Sequence, residues 1–427
     1  MVMPPPGGAR AVARCDELGR GRFSEEPDML FRAFLTPAHA AALERLAGWM
    51  AEAGMSVRLD GAANLIGRYE GQTPGAPCLL TGSHIDSVRD GGNYDGPLGI
   101  MLGIETVAAL HAAGERPPFA IEVIAFGDEE GSRFPASMIC SRAAAGSLPA
   151  DATDGVVDRD GLTLDAALQA FPKPPGVPAP ILGVAGLGRA GYRPGTVLAF
   201  LEAHIEQGPV LEAEGLALGT VTGIAAQLRF RAVVSGRAGH AGTTAMGLRA
   251  DALAGAAEMV LAVERIATDD SSDLVATVGR LSVAPGAVNV VPGRVEFSVD
   301  VRSGEVARRD AGAARIGEAL HAIAAARGLG LTWEQVQDLP ASPCDPQLMA
   351  LLDAAIADLG LPVRRLVSGA GHDAMVMAGL APMAMLFIRC AGGISHNPAE
   401  KVDPADVELA LQAMLGFVRR FGDVPRA

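Results

Sequence analysis

Short runs of wholly apolar residues alternate along the chain with longer stretches in which apolar residues recur at helical spacing. Residues 119–126, 197–204 and 384–389 are apolar nearly throughout, as strands covered on both faces are. A shorter run, 78–81, reads as the end of another buried strand. Residues 37–50, 98–113, 346–359 and 406–421 carry the helical pattern, and Gly54 and Gly114 close the first two. Segments 55–60 and 64–69 read as strands around a turn at Gly61. Residues 363–368 read as a strand and 373–378 as a short helix. Strands alternating with helices predict an α/β fold with a mostly parallel sheet. Residues 1 to about 20 read as a loose arm. Residues 145–195, rich in Pro, Gly and Ala, read as a surface excursion to which the sequence assigns no role.

The pattern changes near Gly219–Gly223. Residues 228–234 alternate, 246–267 are amphipathic, 274–283 and 295–301 read as strands, 306–327 as a second helix, and strand character returns toward Trp333. This predicts a compact α+β module with both helices on one face of a small sheet. The α/β character resumes after about Pro340. The expected organisation is one α/β domain in two segments, 1–219 and 336–427, interrupted by an inserted module, 220–335.

Composition narrows the function classes. Of 427 residues 49% are hydrophobic, which suits a globular chain. The net charge of −14, without a block of like charges, argues against nucleic acid and anionic membrane as partners. The five cysteines form no CxxC pair and sit mostly in apolar runs, as reduced thiols of a cytoplasmic protein do. The N-terminus has prolines where a signal peptide needs an apolar core, and no apolar run is long enough to span a bilayer.

Candidate chemistry collects where the apolar runs end. The segment TGSHIDSVRDGGNYDGPLG places His84 at the end of a buried strand, where α/β sheets put ligand-binding groups. Asp86, two residues on, can accept the other ring N–H of His84. Gly91, Gly92 and Gly96 let the backbone bring Asp95 back toward that histidine. A His and an Asp so presented suit a transition metal. Run 119–126 leads into Gly127-Asp128-Glu129-Glu130. Adjacent carboxylates there can divide the labour, one ligating a metal and one facing the substrate water. A solvated acidic turn is the plain alternative. His204 and His396 repeat the position of His84 at later strand ends. In the inserted module His240, Asn289 and Arg302 do not look like a metal set, and an Arg with an Asn suits a carboxylate and an amide.

Taken in order, GSHIDSVRDGGNYDGPLG, FGDEEGSRF, EAHIEQGPVLE, GRAGHAGTTAM, PGAVNVVPG, DVRS and GISHNPAE resemble the amidohydrolase branch of the M20 metallopeptidase family. That branch includes allantoate amidohydrolases, N-carbamoyl-L-amino acid hydrolases and β-ureidopropionases. The resemblance runs from about Arg14 to Phe421. It implies a two-domain di-metal hydrolase whose inserted module is a lid that pairs two subunits into a homodimer. It implies that Asp95 bridges two divalent ions, with His84 and His204 on one and Glu130 and His396 on the other. Zinc and manganese are the first expectations, and nickel and cobalt accept the same donors. Glu129 is implied as general base and His240, from the partner subunit, as a holder of the substrate and its oxyanion. Asn289 and Arg302 are implied to bind the substrate carboxylate, with Gln207 and Arg229 lining the pocket. One departure is Ala245, where relatives usually carry proline.

Within the branch, Arg229 in GIAAQLRFR and the loop MLFIRCAGGISHNPAE resemble the allantoate group, whereas carbamoylases tend to place an apolar residue at the position of Arg229. Allantoate carries two ureido arms and a carboxylate, so an additional arginine suits it. The expected activity is hydrolysis of a ureido C–N bond with release of ammonia, from allantoate first and from an N-carbamoyl-L-amino acid or N-carbamoyl-β-alanine as the alternative.

Overall fold

A computed structural model describes residues 7–423. The chain forms two compact units. The larger runs up to Thr222 and takes in Cys344–Leu366 and the chain from Gly371 on; the smaller comprises Gly223–Pro343 and Val367–Ala370.

In the larger unit the main sheet is built from β1 (Ser56–Leu59), β2 (Leu65–Tyr69), β3 (Cys78–His84), β4 (Ala120–Phe126), β5 (Val197–Ile205), β6 (Leu218–Ile224) and the strand Met383–Ile388. Their spatial order is β1, β2, β4, β3, β5, Met383–Ile388, β6. The parallel character sits in the centre, where β4, β3, β5 and Met383–Ile388 run the same way. On one side β2 pairs antiparallel with β4 and β1 with β2; on the other, β6 is antiparallel to Met383–Ile388. Every residue of β3, β4 and Met383–Ile388 is buried, so the unbroken apolar runs reflect a sheet covered on both faces. Helix α2 (Pro37–Glu52) starts at Thr36, whose hydroxyl accepts from His39 N. Helix α3 (Pro97–Ala112) is buried almost all round, which explains why its apolar residues show no single face.

The expected loose arm is a helix. Residues 1–6 lie outside the described residues, but Gly8–Leu18 form α1, packed against α3 and the last helix, Pro404–Asp423. Ala11, Val12, Cys15 and Leu18 face inward. The anchor is Glu105 of α3, which is fully buried. Its carboxylate accepts from Arg10 Nε and Nη2 at 2.8 Å, from Arg14 Nη1 at 2.9 Å and from the backbone of Gly7 at 3.0 Å. Burial pulls the Arg14 guanidinium below its ordinary value, and Glu105 opposes that shift. Glu105→Ala would strand a buried arginine, a change that costs about 3–5 kcal/mol. The expected result is a matching fall in urea-unfolding free energy; an unchanged midpoint would show that α1 contributes nothing to stability.

Residues 145–195 contain two short helices, Leu164–Ala170 and Val184–Leu187. The segment is tied back to the sheet unit through Leu59 N to Pro178 O at 2.8 Å and Tyr192 N to Ala144 O at 2.9 Å.

The smaller unit holds an antiparallel sheet in the order Leu281–Ala284, Arg294–Ser303, Ala226–Ser235, Gly330–Leu339. Helices Ala252–Thr268 and Val306–Ala326 share one core with it, formed by Phe230, Phe297, Val299, Met259, Ile316 and Leu320 among others. Two boundaries differ from the sequence expectation. The helix expected from 246 begins at Ala252, because the Asp251 carboxylate accepts from Leu253 N and Ala254 N and so fixes the first turn there. The strand expected over 274–283 is two, Val275–Thr277 and Leu281–Ala284. All five cysteines are buried and free of disulfides. Among the described residues no helix is long and apolar enough to cross a membrane.

Candidate metal centre

Parallel pairing brings the first two histidines together. Thr81 of β3 lies opposite Leu201 of β5, so three residues further on His84 and His204 stand side by side, their rings stacked with centroids 5.8 Å apart. Asp95 reaches them because the chain turns at Gly96, whose φ is +87°. A Cβ there would lie 2.5 Å from the His84 ring and from its carbonyl oxygen, so only glycine fits. Asp95 Oδ1 is 3.1 Å from His204 Nε2 and 3.5 Å from His84 Nε2. Its other oxygen is 3.3 Å from His396 Nε2, which in turn is 3.4 Å from Glu130 Oε1. Glu129 closes a further group with His84 and Glu130.

Hydrogen placement shows that these atoms fit a cation. A carbonyl oxygen can only accept, so His204 Nδ1, 2.9 Å from Ile205 O, carries the hydrogen. His84 Nδ1 likewise faces Asp86 O at 3.2 Å. In the neutral rings both Nε2 atoms then present lone pairs to a carboxylate oxygen, and nothing but a proton or a cation satisfies that arrangement. His204 Nε2 is buried without a hydrogen-bond partner of acceptable geometry. Donors bound at 2.0–2.1 Å around a tetrahedral ion stand about 3.4 Å apart, the spacing seen here. Burial pushes the Asp95 carboxyl upward, but His204, His396 and His84 outweigh it and hold the group well below its usual range.

The site is braced by residues whose part the sequence only partly disclosed. The Asp86 carboxylate lies 3.4 Å from His84 Nδ1, whose hydrogen bond goes to the Asp86 backbone oxygen, and it does more. Its two oxygens accept from the backbone of Glu129 at 3.2 Å and of Glu130 at 3.1 Å, so one carboxylate sets both a histidine and the acidic pair. The preceding acid, Asp128, turns inward instead and accepts from Ile139 N and Cys140 N, anchoring the next helix. Burial lifts its carboxyl to about 7. Glu400 was missed, although it ends the GISHNPAE motif. Its Oε1 accepts from Tyr94 N at 2.8 Å and Asp95 N at 3.1 Å, holding the loop that carries Asp95. Gly92 makes room for it, since a Cβ there would lie 2.3 Å from that carboxylate. Ser395 Oγ stands between Asp95 at 2.5 Å and Glu400 at 3.1 Å. Gln207, expected in the substrate pocket, faces Asp95: its amide donates to Oδ2 at 2.8 Å.

Behind His204 lies a second buried group, Glu202 with His372. The rings of His204 and His372 meet edge to face at 4.5 Å. Glu202 is committed to Ser83 Oγ at 2.7 Å and Ala374 N at 2.9 Å, so it backs the histidine. It opens the EAHIEQGPVLE motif, in which only His204 and Gln207 were assigned a role.

The remaining candidates lie on the smaller unit. Gly239–His240 pairs with Val290–Val291 in a two-stranded ribbon, and Ala241 N donates to Asn289 O at 2.9 Å, so His240 and Asn289 are neighbours. Both are exposed. His240 Nδ1 accepts from Gly242 N at 3.1 Å, which leaves the hydrogen of the neutral ring on Nε2. On the sheet, Arg229 and Arg302 share Asp300, which sequence reasoning did not single out. Arg229 Nε donates to it at 2.9 Å and Arg302 Nε at 2.7 Å, and Gln227 also donates to it. Burial raises the Asp300 carboxyl, but Arg302 and Arg229 more than compensate and lower it.

Known proteins resemble this chain along most of its length. A profile described as Peptidase family M20/M25/M40 matches residues 80–420. The N-carbamoyl-L-amino acid amidohydrolase of Geobacillus stearothermophilus is 41% identical over 395 residues, 92% of this chain and 93% of that protein. The allantoate deiminase of Arabidopsis thaliana is 38% identical over 439 residues, 96% of this chain and 81% of that protein. The crystal structure of an amidase of the hydantoinase/carbamoylase family from Burkholderia multivorans superposes with a TM-score of 0.89 at 34% identity, covering 99% of this chain and all of that one. With an M20-like fold, a matching profile over most of its length and full-length relatives that cleave non-peptide C–N bonds, the chain belongs to the M20 peptidase family, in its hydantoinase/carbamoylase branch of amidohydrolases acting on ureido compounds.

Proposed function

We propose that this hydrolase is an allantoate amidohydrolase that works with two divalent metal ions. The carrying observation is the pair of arginines, Arg229 and Arg302, tethered to one aspartate on the sheet of the smaller unit. A substrate with one carboxylate and two ureido arms suits two guanidiniums, whereas an N-carbamoyl amino acid with an apolar side chain suits an apolar slot.

His84, His204 and Asp95 would hold one ion and Asp95, Glu130 and His396 the other. When bound, the ions lower the pKa of water and polarise the ureido carbonyl. Glu129 takes the proton of the attacking water at its carboxylate. Burial pushes that carboxyl above its ordinary value, with His84 pulling the other way. Glu129 then returns the proton to the departing nitrogen. Ammonia leaves, and the carbamate product can lose carbon dioxide. On the smaller unit Arg302 and Asn289 would bind the substrate carboxylate with Arg229 beside them, and His240 of the partner subunit would steady the oxyanion. A homodimer formed through the smaller unit is supported by its exposed apolar residues: Met246 is 77% exposed, Leu248 69%, and Val288 fully so.

An L-carbamoylase is the second reading, favoured by the 41% identity to the Geobacillus enzyme. Ammonia release by the metal-reconstituted protein separates the two, with allantoate and a panel of N-carbamoyl-L-amino acids assayed side by side. Fast turnover of allantoate with little on the panel is expected. The reverse outcome would make this a carbamoylase and overturn the role given to Arg229.

A further inference from the structure

One unassigned feature of the sheet unit is a cavity of about 720 Å³, a volume suited to a small molecule. Its walls come from β1, β2, the start of β3, and residues 180–196 of the excursion that the sequence left without a role. It opens at the Cys78 end of β3, whereas His84 and the candidate metal centre lie at the other end, about 20 Å along the strand.

Charge is distributed unevenly in it. The chain as a whole carries −14, yet four arginines line this cavity; Arg68 is paired with Glu70 and Glu122 and Arg58 with Glu122, which leaves Arg189 and Arg193, while the lining acids are Asp60 and Glu122. Both acids are already committed. Asp60 accepts from Ala62 N, Asn64 N and Asn64 Nδ2 at 2.7–2.9 Å. Glu122 accepts from Arg68 Nη1 at 2.9 Å and from the Tyr192 hydroxyl at 2.6 Å, and Arg58 approaches it at 3.4 Å. Arg189 and Arg193 flank Tyr192 at the mouth, are exposed, and make no ion pair among the described residues. Beside them Ile181 is 83% exposed, an apolar residue at the rim of a cationic cavity.

We propose that this cavity binds a small organic anion, one with two negative charges on phosphate or carboxylate groups and an apolar or aromatic body. Arg189 and Arg193 take the charged groups as guanidiniums pair with oxyanions. The apolar body lies toward Ile181 and the Tyr192 ring. Occupancy ties residues 180–193 to the sheet edge formed by β1 and β2.

Titration calorimetry of the full chain tests this with three probes: AMP, phthalate and inorganic phosphate. Saturable binding of AMP or phthalate at one site per chain is expected, with inorganic phosphate weaker because it lacks the apolar body. The choice between AMP and phthalate separates phosphate from carboxylate recognition. In R189A/R193A the affinity falls by about tenfold or more, the scale set by losing charge-assisted partners. Both side chains lie outside the candidate catalytic machinery, so ureido hydrolysis stays at its basal rate in that variant, and Arg159→Ala, an exposed arginine elsewhere, leaves binding unchanged. No binding of any probe, or binding of equal strength in R189A/R193A, would overturn the proposal.

Discussion

Exchanging Glu129 for glutamine is expected to leave the protein's metal content unchanged while lowering kcat by about 10²–10⁴, the usual contribution of a positioned general base. The substitution keeps size and hydrogen-bonding shape but removes the atom that accepts a proton. Glu129 is set by its backbone, since its N–H donates to Asp86 at 3.2 Å, and glutamine keeps that contact. The variant should therefore fold and load metal as the parent does. Elemental analysis beside steady-state kinetics reads both halves. Full activity with metal retained would assign proton transfer elsewhere. Loss of metal together with activity would instead make Glu129 a ligand, which its place beside His84 and Glu130 permits geometrically.

The second large effect falls on Asp95. Its carboxylate faces His84 and His204 with one oxygen and His396 with the other, so Asp95→Asn removes a charged donor from both proposed ion sites at once. Metal affinity is expected to fall by more than the 10–100-fold typical of losing an outer partner, and activity with it. Asp86→Asn supplies the internal comparison. Asp86 orients His84 and the acidic pair from outside the donor set, so its loss should stay within about 10–100-fold. Equal effects of the two substitutions, or two ions per chain retained in Asp95→Asn, would remove Asp95 from the bridging role.

Much of this was legible in the residues. The strands β3, β4 and β5 announce themselves as apolar runs because a parallel sheet is buried on both faces, and the site follows because His84, Glu129 with Glu130, and His204 stand at or just beyond the ends of those runs. Gly96 could be read as a hinge because a tight return to His84 tolerates no side chain. Helix α1 was not legible as packed structure. Its amphipathic spacing is short, and what holds it is Glu105, some 90 positions away in sequence, which looks like any other helical glutamate. Glu400 and Asp300 escaped for the same reason. Each lies in a quoted motif, GISHNPAE or DVRS, but its task is set by groups that pairing and chain reversal bring to it: the backbone of Tyr94 and Asp95 in one case, Arg229 and Arg302 in the other.

By itself, then, the sequence implied a donor set only through its resemblance to a family, and it determined which residue types stand at strand ends, the α/β class and the presence of an inserted module. Those depend on local periodicity and on spacing along the chain. Only the tertiary structure decided which atoms of those donors face one another, and which buried acids brace them. It also decided where cationic charge collects in an acidic protein. A hydrogen bond or a lone-pair clash is settled over a few tenths of an ångström between segments that the sequence places tens or hundreds of residues apart.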